Sequence, residues 1–247
     1  MQIPAIVRSE SFRTLLAAIV AAFVFASPVF AQSSVEARLT QPTNLDELKQ
    51  QVLAYQKSGD YLRELTAVAA RAQAYIEQHA GEVSRPALVL DIDETSLSNW
   101  PRIVADDFGY IPSGSCNRLP KGPCGARAWE LMAKAKAIAP TLALFTAARA
   151  KGVSVFFVTG RDESERTATE RNLRAAGYRD WTGLVMTQRG RKYQSAADFK
   201  APARAKIAAA GYTIIANMGD QPSDLAGGNP DDKERQFLLP NPFYRIH

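Results

Sequence analysis

The chain has 247 residues, of which 46% are hydrophobic and 22% are charged, and its formal net charge is +5. This composition is close to the average of globular proteins and excludes a disordered tail, a collagen-like repeat and a polytopic membrane protein. The mild basic excess forms no dense Lys/Arg block, so we expect no nucleic-acid polymer as a partner. Because the only histidines are His79 and His247, zinc and Ser-His-Asp chemistry are disfavoured, and catalysis is expected to use carboxylates, hydroxyls and amines.

Residues 1–31 have the pattern of a cleavable export signal. Two arginines precede an uncharged apolar run over 15–25, and a small-residue motif ends at Ala31, where we predict the cut. An uncleaved anchor helix is the alternative, although Pro28 favours cleavage. We therefore expect a periplasmic or secreted protein with no stable membrane anchor after cleavage, in which residues 32–43 form a flexible lead-in.

Two helices are predicted at the start of the mature chain, and strands follow. Asn44 and Glu47 have the form of a capping box, which predicts a helix to about Lys57, and apolar residues spaced by three and four predict a second helix over 62–76. From position 87 the pattern changes to nearly continuous apolar runs, which are typical of strands buried on both faces. The predicted strands cover 87–92, 153–158, 183–186, 212–218 and 236–239.

Helical patterns separate most of these strands and define the fold class. An alternation of strands and helices predicts an α/β fold with a Rossmann-like parallel sheet and right-handed crossovers. The stretch 97–138 does not fit this alternation and is predicted to be an insertion after the first strand. The predicted connecting helices cover 139–151, 162–177 and 201–210.

The insertion contains both cysteines of the chain. Cys116 and Cys124 enclose a turn-rich loop with two prolines and a glycine. In an exported protein this spacing favours a local disulfide, whereas the alternative is a reactive thiol. Neither cysteine is followed by an arginine six residues later, as a cysteine-dependent phosphatase would require. Asp106 and Asp107, in the same insertion, are expected in a solvated loop.

Acids and hydroxyls follow three of the predicted strands. Ligands bind at the carboxyl ends of strands in an open α/β sheet, so these residues are expected at one edge. Asp91 and Asp93 are two apart on an extended chain and point the same way, and charges so close require a cation between them. Oxygen ligands of this kind favour Mg²⁺ over zinc. The residues form three groups, one after each strand: Asp91, Asp93 and Thr95; Thr159, Gly160 and Arg161; and Gly219, Asp220 and Asp224. Each of these groups, taken alone, also fits a capping loop or a turn.

These motifs resemble those of a known superfamily. DIDET at 91–95, TGR at 159–161 and GDQPSD at 219–224 are similar to motifs I, II and IV of the haloacid dehalogenase (HAD) superfamily. The wider matches DIDETSLSNWP, FFVTGR and GDQPSDL resemble the class B-like acid phosphatases, subfamily IIIB, a group that includes plant vegetative storage proteins. The resemblance covers about 44–245 and implies the HAD fold with a cap inserted after the first core strand.

The third motif of this family is a lysine ahead of the fourth strand. Lys200 lies in a stretch that resembles the family pattern, although Ala201 replaces the usual serine. Lys206, on the same predicted helix, is the alternative, and its simpler interpretation is a solvated helix face. We therefore assign the motif to Lys200.

The resemblance implies a role for each residue in catalysis. Asp91 would attack phosphorus and form an aspartyl-phosphate, and Asp93 would protonate the leaving alkoxide and then activate water. Since Asp93 must be protonated in the first step, an acidic pH optimum is expected, with Lys200 and the cation separating the two pKa values. The implied phosphate-binding residues are Thr159, Gly160 and Lys200. The implied Mg²⁺ site comprises Asp91, Asp93 through its backbone carbonyl, Asp220 and the supporting Asp224.

The predicted protein is thus a phosphomonoesterase with a single phosphatase domain over 44–247. The insertion at about 97–138 would be its cap, in which Trp100, Tyr110 and Trp129 either stack on an aromatic leaving group or pack the cap onto the core. A small-molecule phosphomonoester is the expected substrate. The alternatives are a phosphotransferase that moves phosphate to an alcohol and a non-catalytic secreted metal-binding or storage protein. The sequence does not indicate the oligomeric state.

Overall fold

The computed structural model describes residues 42–227 and 230–246. The predicted export signal and almost all of the predicted lead-in at 32–43 lie outside these residues. None of the helices in the described ranges combines the length and the apolar character needed to cross a membrane.

Two helices precede the sheet, as predicted. Helix α1 covers Leu45–Lys57 and helix α2 covers Asp60–His79. The Asn44 side chain accepts hydrogen bonds from two backbone N–H groups of the first turn of α1, at 2.9 and 3.3 Å, and thereby caps the helix. Between the helices Gly59 has φ +82°, a left-handed conformation that glycine adopts without steric cost, so the chain can turn sharply into α2.

Seven strands in the described part of the chain form two sheets. The main sheet is parallel, with the order β5-β4-β1-β6-β7, and this confirms the predicted α/β fold. Strands β2 and β3 pair with each other in a short antiparallel sheet at the two ends of the insertion. The strands are β1 (Pro86–Leu90), β2 (Leu97–Ser98), β3 (Lys136–Ala137), β4 (Ser154–Asp162), β5 (Gly183–Thr187), β6 (Thr213–Gly219) and β7 (Gln236–Leu238).

The remaining helices lie in the insertion or connect the strands. They are α3 (Trp100–Ala105), α4 (Ala126–Met132), α5 (Ala139–Ala150), α6 (Arg166–Ala175), α7 (Ala197–Ala209) and α8 (Pro222–Leu225). Short 3₁₀ helices cover Glu163–Glu165 and Pro230–Arg235. Most boundaries differ from the predictions by a few residues, and two of these differences affect the site. Strand β4 continues through the TGR motif, and α7 begins at Ala197, so that Lys200 lies in its first turn.

Alternate residues of β1 face two separate hydrophobic cores. Leu88 and Leu90 are fully buried in the larger core, to which α2, α5 and α6 also contribute. Ala87 and Val89 point to the opposite face and pack against α7 residues such as Ile207. This two-residue period is that of an extended strand covered on both sides. The helices therefore cover both faces of the sheet and leave the carboxyl edge of the strands open to the loops.

The insertion is held together by a disulfide and a buried carboxylate. Cys116 and Cys124 are joined, as predicted. The expectation that Asp106 lies in a solvated loop is wrong, because its buried carboxylate accepts a hydrogen bond from the Cys124 backbone N–H at 2.7 Å and pairs with Arg102 at 3.5 Å. Asp106 follows directly after α3, where its side chain faces the cysteine loop, whereas the neighbouring Asp107 is exposed as expected.

Candidate active site

Three neighbouring strands deliver the predicted residues to one edge of the sheet. Strand β1 lies between β4 and β6, and all three are parallel, so their carboxyl ends are adjacent. Asp91 and Asp93 follow β1, and Asp220 follows β6. The side chain of Lys200 reaches the same edge from α7, which covers one face of the sheet.

A cluster of three buried carboxylates occupies this edge. One oxygen of each of Asp91, Asp220 and Asp224 lies within 4.8 Å of the other two. The three residues are only 6%, 5% and 3% exposed. These residues were all predicted as metal ligands, and the fold brings them together across more than 100 positions of sequence. The cluster is a candidate metal centre.

The absence of a side chain at Gly219 leaves space for the Asp224 side chain. A Cβ atom at position 219 would lie only 2.3 Å from the Asp224 Oδ2 atom, so no larger residue fits there without a shift. The Asp224 Oδ2 atom accepts a hydrogen bond from the Gln221 backbone N–H at 2.8 Å, which closes the capping box of the short helix α8. The Gly-Asp-Gln turn thus sets the position of Asp224 relative to Asp91 and Asp220.

Lys200 neutralises part of the charge of this cluster. Its buried ammonium donates a hydrogen bond to Asp91 Oδ1 at 2.6 Å and a second, short one to Asp224 Oδ1. Burial opposes the charged form of Lys200, but Asp91 and Asp224 more than offset this effect and raise its pKa. Lys206, the alternative candidate, is exposed on the same helix.

The cluster retains excess negative charge that suits a divalent cation. Burial raises the pKa of Asp91 well above its ordinary value; Lys200 opposes this shift, and the neighbouring carboxylates add to it. Burial and the charge of Asp224 raise the pKa of Asp220 to about 6. A hard cation with oxygen ligands would relieve this repulsion, so the residues present fit a divalent metal ion.

The Asp93 carboxylate lies apart from the cluster and pairs with Arg161. The Arg161 Nη2 atom donates to Asp93 Oδ1 at 2.6 Å and its Nε atom donates to Oδ2 at 3.0 Å, while Asn99 Nδ2 donates to Oδ1 at 2.8 Å. The side chain of Asp93 is therefore not part of the three-carboxylate group, and binding of the metal by its backbone carbonyl stays a prediction. Arg161 belongs to the TGR motif, but the sequence predicted no role for it.

In the metal-free chain, the pKa values of the two motif I acids are ordered opposite to the order that the mechanism requires with the cation bound. Burial disfavours the charged form of Asp93, but Arg161 and then Asn99 outweigh burial and lower its pKa. In the metal-free chain Asp93 is thus the ionised member and Asp91 the one that binds a proton more readily. The reason is tertiary: both acids are buried, but Arg161 outweighs the effect of burial at Asp93, whereas at Asp91 Lys200 does not outweigh burial and the charges of the neighbouring carboxylates. The acidic optimum, which rested on a protonated Asp93, stays a prediction.

The two remaining residues of the TGR motif lie where β4 reaches the same edge. Thr159 is fully buried, and its Oγ1 atom accepts a hydrogen bond from the Arg161 backbone N–H at 3.2 Å. Gly160 is exposed, and apart from its two chain neighbours no residue of the described chain has an atom within 4 Å of the position a Cβ would take there. The backbone at Gly160 is therefore open to a ligand.

Several polar partners of the site were not assigned by sequence analysis. The Asp220 carboxylate accepts hydrogen bonds from Thr95 Oγ1 at 2.9 Å, Gln221 Nε2 at 2.6 Å and Asn241 Nδ2 at 2.7 Å. Thr95 and Gln221 lie within recognised motifs, which could have indicated them. Asn241 follows β7 and belongs to no motif that we recognised, so nothing in the sequence pointed to it.

A buried glutamate links the motif I loop to the end of the described chain. Glu94 accepts hydrogen bonds from the Asn99 backbone N–H at 2.6 Å and from the Tyr244 hydroxyl at 2.7 Å. Its backbone is left-handed, φ +54°, and its carboxylate also accepts a hydrogen bond from Asn99 Nδ2 at 3.0 Å. The Asn99 side chain in turn binds Asp93, so the orientation of Asp93 depends on this network.

The three aromatic residues of the insertion have different surroundings. Trp129 is buried, and its Nε1 atom donates to Asn99 Oδ1 at 2.7 Å. Trp100 is half-buried and packs against Phe243, with ring centroids 5.2 Å apart. Both tryptophans thus pack the insertion onto the core, which was the simpler interpretation. Tyr110 is 73% exposed and remains available for contact with a substrate.

In a metal-free buffer, the free energy of unfolding should fall as the pH rises from about 5 to about 7. Burial, followed by the charge of Asp93, raises the pKa of Glu94 from 4.5 to about 7. The folded chain thus holds a proton in this window that the unfolded chain has lost, so stability decreases with pH, by an amount on the order of a few kcal/mol. Urea denaturation at several pH values in EDTA measures the slope.

A pair of glutamate variants tests this origin of the slope. Glu94→Gln removes one of the groups with a raised pKa and should make the fall less steep, while Asp91 and Asp220 keep the remainder. Glu47→Gln, an exposed change in α1, should keep the wild-type slope. A Glu94→Gln slope equal to that of the wild type would show that Glu94 does not contribute to the fall.

Comparison with known proteins gives a consistent set of relatives. A family model described as HAD superfamily, subfamily IIIB (Acid phosphatase), matches residues 26–247. Acid phosphatase 1 of Solanum lycopersicum is 30% identical over 202 residues, which cover 81% of this chain and 75% of the relative. The Stem 28 kDa glycoprotein of Glycine max is 32% identical over 176 residues, 70% of this chain and 66% of the relative. Vegetative storage protein 1 of Arabidopsis thaliana is 29% identical over 161 residues, 64% of this chain and 54% of the relative.

Solved structures show the same fold. The class C acid phosphatase from Bacillus anthracis aligns with a TM-score of 0.63 and 22% sequence identity, over 80% of this chain and 86% of that one. At 22% sequence identity, this similarity shows the fold alone.

Proposed function

The chain belongs to the HAD superfamily, subfamily IIIB, the acid phosphatases, as its motifs predicted, and from this membership we propose that it hydrolyses phosphomonoesters through an aspartyl-phosphate intermediate with Mg²⁺. The arrangement around Asp91 carries the proposal. This buried carboxylate accepts a hydrogen bond from Lys200 and lies within 4.8 Å of two further carboxylates. A carboxylate nucleophile, a fixed ammonium and a set of metal ligands are the groups that phosphoryl transfer needs.

The reaction has two halves. In the first, an Asp91 oxygen bonds to phosphorus while the bond from phosphorus to the ester oxygen breaks, and Asp93 gives its proton to that oxygen so that an alcohol leaves. In the second, Asp93 takes a proton from water, the water oxygen bonds to phosphorus, and the bond to Asp91 breaks to release phosphate. Lys200 keeps its proton and neutralises charge beside Asp91 in both halves.

The cation would be held by the carboxylate cluster. Asp91, Asp220 and Asp224 supply the side-chain ligands, and the family resemblance adds the backbone carbonyl of Asp93. When bound, Mg²⁺ supplies positive charge that stabilises the transferring phosphoryl group. Thr159 and Gly160 would bind the phosphoryl oxygens, and the open backbone at Gly160 supports this role.

Substrate binding is expected to prepare Asp93 for its role as an acid. In the unliganded chain Arg161 keeps the pKa of Asp93 low, although burial opposes this effect. A phosphate dianion at the same edge attracts Arg161 and repels the charge of Asp93, and both effects raise the pKa of Asp93. Protonation of Asp93 would therefore accompany arrival of the phosphate.

An extracytoplasmic location completes the proposal. The predicted signal over 1–31 would export the chain and be cleaved after Ala31, and the disulfide of the insertion suits an oxidising compartment. The relatives include plant proteins named stem glycoproteins and an acid phosphatase. Residues 44–247 would then form the phosphatase domain, with 97–138 as its cap over the site.

Hydrolysis of p-nitrophenyl phosphate in Mg²⁺ and in EDTA tests the proposal. We expect EDTA to lower the rate by about 100-fold or more, and Mg²⁺ to restore it, because a bound metal supplies several kcal/mol of charge stabilisation. Adding a nucleoside as an alcohol acceptor distinguishes hydrolysis from phosphotransfer, since a phosphotransferase would yield a nucleotide. Hydrolysis that survives thorough chelation would exclude the metal from the mechanism.

A storage or metal-binding protein without catalysis is the second candidate. It is favoured by the relatives named vegetative storage proteins, of which this chain spans 54% of the length in one case. The full set of Asp91, Asp93, Thr159 and Lys200 argues against it. Absence of hydrolysis across nucleotides, sugar phosphates and aryl phosphates, with Mg²⁺ binding retained, would establish this candidate instead.

A further inference from the structure

The segment after β7, residues 240–246, crosses the carboxyl edge of the sheet beside the candidate metal centre. We call it the closing segment. Its Phe243 is buried between Tyr61 of α2 and Trp100 of the insertion, with ring centroids 5.0 and 5.2 Å apart. Immediately before it, the Leu239 backbone N–H donates to the Gly219 carbonyl oxygen at 2.8 Å. The closing segment is therefore anchored by packing on both sides of the site.

Asn241 connects this segment to Asp220. Its Nδ2 atom donates to Asp220 Oδ2 at 2.7 Å. Its Oδ1 atom accepts hydrogen bonds from the backbone N–H groups of Phe243 at 2.9 Å and Tyr244 at 3.4 Å. The second set of contacts fixes the amide plane of Asn241, because it ties the side chain to its own turn. The amide therefore presents a donor of fixed direction to Asp220.

The donors around Asp220 are distributed unequally between its two oxygens. Asn241 and Gln221 both donate to Oδ2, whereas Thr95 donates to Oδ1. A carboxylate has about four acceptor positions, two on each oxygen. Among the described residues these three donors fill both positions on Oδ2 and one on Oδ1. The position left open for a cation is on Oδ1.

We propose that Asn241 is a positioning residue of the metal centre: by holding Asp220 Oδ2, it keeps the carboxylate rotated so that one position on Oδ1 faces the cation. This inference rests on the proposed function, since it requires the carboxylate cluster to bind a metal. Partners that hydrogen-bond to metal-ligating carboxylates orient the ligand, and their loss weakens metal binding by about 10- to 100-fold. Asn241 does not touch the substrate or the reacting atoms.

Mg²⁺ binding by Asn241→Ser measures this effect. Serine is too short to reach Asp220, but its hydroxyl can still accept from the backbone two residues on, so the turn of the closing segment is kept. Isothermal titration of the metal-free full-length protein with MgCl₂ should show an affinity at least about tenfold weaker than wild type. At saturating Mg²⁺ most of the wild-type kcat for p-nitrophenyl phosphate should return, since only the orientation of a ligand has changed.

Tyr244→Phe provides the matched control. It removes the hydrogen bond that the Tyr244 hydroxyl donates to Glu94 and leaves the contact between Asn241 and Asp220 in place. We expect Mg²⁺ affinity in this variant to stay near that of the wild type, even if the melting temperature falls. The network from Glu94 through Asn99 reaches the side chain of Asp93, whereas the proposed metal ligand at Asp93 is its backbone carbonyl. Equal weakening in Tyr244→Phe and Asn241→Ser would mean that general loosening of the segment is responsible, and would overturn the proposal.

Two further outcomes separate this inference from the proposed function. Wild-type Mg²⁺ affinity in Asn241→Ser overturns the positioning role alone and leaves the metal-dependent phosphatase intact. Absence of Mg²⁺ binding by the wild-type protein overturns both the positioning role and the metal site. Hydrolysis assays in EDTA then decide what remains of the proposed function.

Discussion

Asp91→Asn should lower kcat for p-nitrophenyl phosphate by roughly 10⁴-fold or more, the scale seen when a covalent nucleophile is removed. A carboxamide is a poor nucleophile and cannot form the aspartyl-phosphate. Acid quenching during turnover followed by mass spectrometry should find one phosphoryl group on the wild-type peptide that contains Asp91, and none in the variant. This measurement reports the intermediate directly, independently of the steady-state rate.

The Asp91→Asn variant is expected to fold. The asparagine carbonyl can still accept the hydrogen bond from Lys200, and removal of one carboxylate reduces the repulsion with Asp220 and Asp224. Asp180→Asn is a matched control, because Asp180 is exposed and has φ +56°, a conformation that asparagine adopts readily. The control should keep the wild-type kcat. Substantial hydrolysis by folded Asp91→Asn would remove Asp91 from the role of nucleophile.

Lys200→Met should impair both activity and the stability of the metal-free protein. The buried ammonium lies between Asp91 and Asp224, and without it the carboxylates face one another with no cation. Removing one partner of a buried ion pair costs about 3–5 kcal/mol, and loss of a charge beside the reacting group lowers kcat by roughly 10²- to 10³-fold. Urea denaturation in EDTA and steady-state kinetics in Mg²⁺ measure the two effects.

The effect of Mg²⁺ on the stability of Lys200→Met is a second test of the role of Lys200. Because the cation would replace the missing positive charge, it should stabilise Lys200→Met by more than it stabilises the wild type. Lys206→Met, an exposed change six residues further along α7, should leave stability and kcat near wild type. If Lys206→Met is the variant that loses activity, the assignment of the third motif to Lys200 is wrong.

The main features of the fold could be predicted because they depend on local patterns. Continuous apolar runs indicated all five strands of the parallel sheet, and the spacing of apolar residues indicated the first two helices. Because parallel strands place their carboxyl ends together, the positions of Asp91 and Asp220 after their strands were enough to predict that they meet at one edge. Boundaries were less accurate, as in β4, where pairing with β5 extends the strand past the predicted end.

The partners of each acid could not be predicted in the same way. Asp91 and Asp93 are two residues apart and of the same type, yet one faces carboxylates and a lysine while the other faces Arg161. Strand pairing and the bend of the loop decide which group each acid meets, and neither is encoded in the spacing of residues. The same holds for Asp106, whose burial depends on where the cysteine loop packs.

The sequence by itself determined the α/β alternation, the insertion with its disulfide, and the acids and hydroxyls at the strand ends, because apolar periodicity and motifs are properties of neighbouring residues. Only the tertiary structure decided the electrostatics of the site. Lys200 meets Asp91 across 109 positions, and Tyr244 meets Glu94 across 150. Such contacts depend on how α7 and the closing segment pack against the sheet, so the pKa order of the two motif I acids and the donor at Asn241 emerge only when the chain is folded.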